Sequence, residues 1–131
     1  MNFEKLVPLE FLHNADYLRK IIIENPDLPV CFIANEEDCI DGGMNTLMNT
    51  AYINIEKVFS AHLPFTDYDD FTKLYDDKIE FEEDLQDYFT DYNFDGCNKM
   101  DEKTFNEWFD KQLKSLEPYW KDVIMIRVSN S

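Results

Sequence analysis

The chain has 131 residues, of which 44% are hydrophobic and 15% aromatic, and these proportions favour a globular domain over a disordered chain. Its 28 acidic residues outnumber 12 basic residues, so the formal net charge at pH 7 is −16. Because phosphates would be repelled, this charge argues against direct binding of nucleic acid and favours a basic partner or a cation.

The sequence contains no signal for secretion and no membrane-spanning segment that we recognise. No basic segment followed by an apolar core stands at the N-terminus, so we expect no signal peptide. The longest apolar runs, Ile21–Ile23 and Val123–Ile126, are too short to span a bilayer. Cys31, Cys39 and Cys97 are widely spaced and odd in number, which favours reduced thiols. We therefore expect a cytoplasmic protein with no membrane contact.

The first predicted element is a helix over residues 15–24. Asn14 fits the N-cap position, and Leu18 and Ile22 lie on one helical face. Pro26 ends the helix, because the residue before a proline is pushed out of the α region.

Four strands are predicted from short sequence patterns. The continuous apolar run Val30–Ala34 predicts a strand that is covered on both faces. Apolar and polar residues alternate over residues 51–55, which indicates a half-buried strand. Lys78–Phe81 fits a brief edge strand. The apolar run Val123–Ile126 predicts a last strand over residues 122–128.

Two further helices are predicted in the second half of the chain. Phe81, Leu85 and Phe89 share one helical face, and Phe105 and Phe109 share another in a helix over residues 101–116. The expected fold class is α+β, a single domain over the whole chain with three helices packed on a small mixed sheet. We expect the strands at residues 29–34 and 122–128 to lie in its centre.

The segment Thr66–Glu102 carries most of the negative charge. It holds 14 acidic residues against 3 lysines, and eight aromatic residues are spread through it. Disordered acidic segments are poor in aromatic residues, so we expect this one to fold with its rings inside and its carboxylates outside. The candidate partner-binding residues are Asp67, Asp69, Asp70, Asp76, Asp77, Glu82, Glu83, Asp84 and Asp87.

One stretch of twelve residues, Asp91–Glu102, resembles the calcium loop of an EF-hand, D-x-[DN]-x-[DN]-G-x5-E. Calcium prefers oxygen ligands, and the candidate ligands are Asp91, Asn93, Asp95 and Glu102. Asn98 and Lys99 depart from the EF-hand pattern, and no second loop pairs with this one. The alternative is an Asn/Asp/Gly turn that leads into a helix. We expect no cofactor, with calcium as the alternative.

Catalytic patterns are missing from the sequence. It has no Gly-rich phosphate loop, no G-x-S-x-G and no H-E-x-x-H. We therefore expect a binding protein and not an enzyme.

Two stretches carry a resemblance to a known class of proteins. Glu24–Val30 contains NPDLP, and Trp120–Ile126 contains W-K-x-x-I-x-I. With the acidic segment and the helix start at Asp101–Phe105 between them, the chain resembles small acidic proteins from phages, prophages and mobile elements of Gram-positive bacteria. The resemblance implies a mobile-element setting in a bacterial host cell. Anti-CRISPR and anti-restriction proteins that mimic DNA are the functional analogy.

Three functional hypotheses follow. In the first, the acidic residues bind a basic protein surface made for nucleic acid, such as that of a host defence nuclease, and inhibit it. In the second, the chain is a single EF-hand-like calcium-binding module. In the third, it is an immunity protein that neutralises a basic nuclease toxin. The first and third use the same electrostatics, and neighbouring genes would distinguish them.

Overall fold

The computed structural model describes residues 3–34, 47–63 and 74–129. Its main elements are α1 (Ala15–Glu24), β1 (Val30–Ala34), β2 (Thr50–Phe59), α2 (Lys78–Asp91), α3 (Glu102–Leu116) and β3 (Trp120–Ser129). The fold is α+β with three α-helices and a small three-stranded mixed sheet, as predicted. The helix predictions for residues 15–24 and 101–116 are confirmed.

The sheet has the order β1-β3-β2, so β3 is the central strand. β1 pairs with β3 in parallel, with Val30 opposite Ile124, and β2 runs antiparallel to β3. The central position predicted for residues 122–128 is confirmed, but the one predicted for residues 29–34 is wrong. β1 is an edge strand because it pairs with β3 alone in this order. The prediction that Val30–Ala34 is covered on both faces is also wrong, since Val30 and Phe32 are 42% and 68% exposed. A continuous apolar run does not distinguish an edge strand from a central one.

The described chain divides into two compact units. Unit 1 comprises Met1–Glu56 and Asp122–Ser131, and unit 2 comprises Lys57–Lys121. The boundaries fall inside β2 and β3. The description of residues 1–131 as one domain stays a prediction.

Unit 1 has an aliphatic core. Ile21 of α1 packs against one face of the sheet, formed by Ala51 and Ile53 of β2 and by Ile124 and Ile126 of β3. The spacing of two residues within each strand places these side chains on the same face. Burying an isoleucine side chain contributes about 2–3 kcal/mol to folding, so this contact holds α1 on the sheet.

Unit 2 has an aromatic core. The Phe81 ring lies with its centroid 4.6 Å from that of Phe59, 5.3 Å from that of Tyr75 and 5.3 Å from that of Trp120. The contacts with Tyr75 and Trp120 are edge-to-face, the geometry that the ring quadrupole favours. The same cluster includes Leu63, Leu85, Phe89 and Cys97.

The N-terminus of α2 corrects the prediction of an edge strand at Lys78–Phe81, which forms the first turn of this helix instead. The Asp77 carboxylate accepts a hydrogen bond from the backbone N–H of Ile79 at 2.9 Å and caps the helix. A negative charge at this end is also favoured by the helix dipole. The cap and the helix dipole both favour a helix that starts at Lys78, three residues before Phe81, the first buried residue of α2.

Candidate partner-binding surface

The negative charge of the described chain is concentrated on α2. This helix carries six acidic residues and one lysine, whereas α3 carries three acidic residues and three lysines. Glu80, Glu83, Asp87 and Asp91 follow each other at spacings of three or four residues and therefore share one side of α2. All four are exposed. We call these four residues the α2 acidic face.

Two members of the α2 acidic face, Glu83 and Asp87, carry like charges close together. Glu83 and Asp87 are like charges at i, i+4, and in the part of the chain that the structure describes neither makes an ion pair. The one lysine of α2, Lys78, is directed elsewhere, since its Nζ lies 3.1 Å from a Glu117 carboxylate oxygen and 5.5 Å from the Trp120 ring centroid. The carboxylates of Glu83 and Asp87 are thus open to a cationic partner.

The predicted partner-binding residues have different positions. Asp76 is exposed before α2, and Glu82 is exposed on another side of the helix from Glu83 and Asp87. Asp77 caps α2. Asp84 is half-buried, and its carboxylate accepts a 2.8 Å hydrogen bond from the Tyr75 hydroxyl, which ties it to the aromatic core. Asp67, Asp69 and Asp70 lie outside the described residues.

Two members of the α2 acidic face were not predicted as partner-binding residues. Glu80 was assigned to an edge strand, and Asp91 was assigned to the calcium loop. A signal for Glu80 was present, because Asp77 and Glu80 are three residues apart, which is the spacing of an N-cap residue and its reciprocal acid in a capping box. Starting α2 at Lys78 would have placed Glu80 on the face of Glu83.

The candidate calcium loop is a capped turn. Asn93, Asp95 and Gly96 have positive φ angles of 48°, 54° and 70°. The Asn93 Oδ1 accepts a hydrogen bond from the Asn98 N–H at 2.9 Å, and the Asp95 Oδ2 accepts one from the Trp108 Nε1–H at 3.1 Å. These bonds use oxygens that the sequence pattern assigns to the metal.

Two of the candidate calcium ligands lie on the helices that flank the turn. Asp91 and Glu102 are exposed at the end of α2 and in the first turn of α3. Among the described residues, no group of three or more His, Cys, Asp or Glu side chains is placed to hold a metal ion. The calcium-module hypothesis stays a prediction.

Asp101 connects this turn to α3. The Thr104 side chain and backbone N–H donate hydrogen bonds to its carboxylate, the latter at 2.7 Å, and they lower the pKa of Asp101 below its ordinary value. Asp101 is therefore ionised at neutral pH, where its charge favours the N-terminus of α3. Its role in the structure is that of a helix cap.

Three aromatic rings lie at the C-terminal end of α2. Tyr92 is 71% exposed and Phe94 is 41% exposed, whereas Tyr88 is half-buried. The Tyr88 ring centroid lies 5.1 Å from that of Tyr92 and 5.4 Å from that of Phe94. We call Tyr88, Tyr92 and Phe94 the Tyr92 patch.

Unit 1 contains a cavity of about 220 Å³, lined in part by Ile33, Tyr52 and Arg127. The Arg127 guanidinium is already paired, since its Nε and one terminal nitrogen lie 3.3 Å and 2.8 Å from the two carboxylate oxygens of Glu56. Burial raises the pKa of the Cys31 thiol, so Cys31 is protonated at neutral pH. The pairing of Arg127 leaves the cavity without an unpaired guanidinium among its lining residues, and Cys31 is not one of those residues.

Comparison with protein-family models, with curated proteins and with solved structures found no match to this chain. The resemblance to small acidic proteins of phages and mobile elements therefore stays a prediction. Among the described residues, no helix is long and apolar enough to cross a membrane.

Proposed function

We propose that this protein acts by binding and not by catalysis, and that its α2 acidic face occupies a basic surface made for DNA or RNA. The proposed partner is a host defence nuclease in the cytoplasm of a bacterial cell, inhibited in the manner of an anti-CRISPR or anti-restriction protein. The observation that carries the proposal is a row of four exposed carboxylates on a helix whose one lysine is directed elsewhere.

The spacing of these carboxylates supports mimicry of a nucleic-acid strand. The row from Glu80 to Asp91 extends over about 16 Å of helix axis, at a rise of about 1.5 Å per residue. That gives roughly one carboxylate per 5 Å. One strand of DNA carries one phosphate per about 3.4 Å of axis. The two charge densities are of the same order, so a groove lined by Lys and Arg could accept either.

The helix also reduces the entropic cost of binding. Phe81, Leu85 and Phe89 anchor α2 in the aromatic core, so the backbone that carries the row is fixed before the partner arrives. Preorganised charges lose less freedom on association than charges on a disordered tail. Charge complementarity of this kind acts mainly on the association rate.

The test is a charge reversal on α2, Glu83→Lys with Asp87→Lys. Its matched control is Glu107→Lys with Asp110→Lys, which changes the net charge equally on the exposed side of α3. A partner is first captured from host lysate with wild-type protein, and its association rate with each variant is then measured at low and high salt. We expect the α2 variant to associate roughly ten-fold more slowly at low salt, with a smaller difference at high salt. The control should associate nearly as wild type does.

Equal association rates for the two variants would contradict the proposal. The association rate would then depend on the net charge alone and not on the position of the carboxylates. Circular dichroism and urea unfolding would establish that both variants are folded. Capture of a basic nuclease toxin in place of a defence nuclease would favour the immunity-protein hypothesis.

A further inference from the structure

The Tyr92 patch differs in exposure from the other described rings of the segment Thr66–Glu102. Tyr75, Phe81 and Phe89 are buried, as the sequence predicts for rings in an acidic segment. Tyr92 and Phe94 are instead open to solvent, although each packs against the Tyr88 ring. Exposed rings held by other rings lose little freedom on binding, so they are suited to contact a partner.

Acidic residues of α2 are helical neighbours of Tyr88. On the surface of α2, Tyr88 is the helical neighbour of Asp84 at i−4 and of Asp91 at i+3. Asp87 and Asp91 are neighbours at i, i+4. The patch therefore combines the negative face of aromatic rings with two exposed carboxylates, Asp87 and Asp91.

The helix itself adds a third negative contribution. The C-terminus of an α-helix carries a partial negative charge, which helices commonly compensate with Lys, Arg or His in the last turn. The last turn of α2 has no basic residue, and it ends in Asp91 with Tyr92 as its C-cap. Rings, carboxylates and helix dipole thus all favour a cation at the same place.

The chemistry of the patch selects among cations. A metal ion needs several converging oxygens, but the Asn93 and Asp95 side chains bond within the turn. An ammonium group is compact and strongly hydrated, whereas a guanidinium is planar, weakly hydrated and stacks on rings while it bonds to carboxylates. We propose that the Tyr92 patch binds an arginine side chain of the basic partner. This inference rests on the proposed function, since it names the contact that the partner makes at the end of the α2 acidic face.

The test uses two probes of equal length and charge, an oligoarginine and an oligolysine peptide. Their dissociation constants for the wild-type protein are measured by calorimetry at one salt concentration. We expect the arginine peptide to bind more tightly, and we expect Tyr92→Leu to lower that preference roughly three-fold while the affinity for the lysine peptide changes little. Tyr92→Phe retains the ring and should retain the preference. Tyr17→Leu, which removes an exposed tyrosine from α1, is the matched control and should leave the preference unchanged.

Three results would overturn the inference: no preference for arginine in the wild type, an unchanged preference in Tyr92→Leu, or an equal loss in Tyr17→Leu. These outcomes are separate from failure of the proposed function. If Glu83→Lys with Asp87→Lys weakens both peptides equally and Tyr92→Leu has no effect, the α2 acidic face binds cations without an arginine site. If the charge reversal weakens neither peptide, the proposed function fails as well.

Discussion

Units 1 and 2 form their hydrophobic cores from different kinds of side chain. Unit 1 buries isoleucine and alanine between one helix and a sheet, whereas unit 2 buries a cluster of aromatic rings. Their surfaces differ as well, because unit 1 exposes large apolar side chains such as Phe3, Val7 and Phe32, and α2 of unit 2 exposes carboxylates. The comparison teaches that a segment with a strong charge imbalance can fold when its helix contributes large apolar side chains such as Phe81, Leu85 and Phe89 to the core. A ring buries about 150–250 Å², enough to offset repulsion among exposed acids.

The largest expected effect comes from truncating one residue in each core. Phe81 is 2% exposed and Ile124 is fully buried. We expect Phe81→Ala to lower the free energy of unfolding by about 4 kcal/mol and Ile124→Ala by about 3 kcal/mol, because a ring leaves the larger cavity. Urea unfolding measures both, with the exposed Ile79→Ala as a control that should change stability by about 0.5 kcal/mol or less. A smaller loss of stability in Phe81→Ala than in Ile124→Ala would contradict the expectation that removing the ring leaves the larger cavity.

The next effect concerns the ion pair of unit 1. The side chains of Arg127 and Glu56 are 34% and 26% exposed, so their bidentate salt bridge is intermediate in exposure between a surface salt bridge and a buried one. We expect Arg127→Met to cost about 1–2 kcal/mol, since it leaves a half-buried carboxylate without its partner. The double variant Arg127→Met with Glu56→Gln should recover part of this loss. An additive double variant would show that the two side chains do not interact in solution.

The smallest effect concerns the turn before α3. Gly96 has a φ of +70°, and a Cβ added there would meet no atom within 4 Å. The cost of Gly96→Ala is therefore a backbone cost of about 1 kcal/mol. Gly96→Asn should cost less, because Asn tolerates the left-handed region better than Ala. Thermal unfolding of the two variants measures the difference, and equal losses would contradict the backbone explanation.

The fold was predictable where the residue pattern and its length agreed. The helices α1 and α3 follow from apolar spacing and end signals, and the central strand follows from the apolar run Val123–Ile126. The alternation of Lys78–Phe81 over four residues favours a strand, but the cap at Asp77 starts α2 there instead. The edge position of β1 depends on strand order, which the run Val30–Ala34 does not encode.

The candidate site was predictable in composition and not in geometry. Counting acidic residues located the charged segment, but the 2.8 Å hydrogen bond that ties Asp84 to Tyr75 depends on tertiary packing. The calcium pattern compares residue types alone, whereas the positive φ angles of Asn93 and Asp95 and their hydrogen bonds decide where the oxygens lie. The contact between the Tyr88 and Tyr92 rings, whose centroids are 5.1 Å apart, likewise depends on the path of the chain after α2.

The strand order of unit 1 has a consequence for synthesis on the ribosome. β1 and β2 both flank β3 and do not pair with each other, and Val30 finds its partner only in Ile124. All of unit 2 is translated between the unit 1 part of β2 and the unit 1 part of β3. At roughly 5–20 residues per second, the nascent chain carries β1 and β2 without their shared partner for about 3–13 s. During that interval the apolar run Val30–Ala34 is an unpaired strand, which is the state in which a nascent chain depends on chaperones.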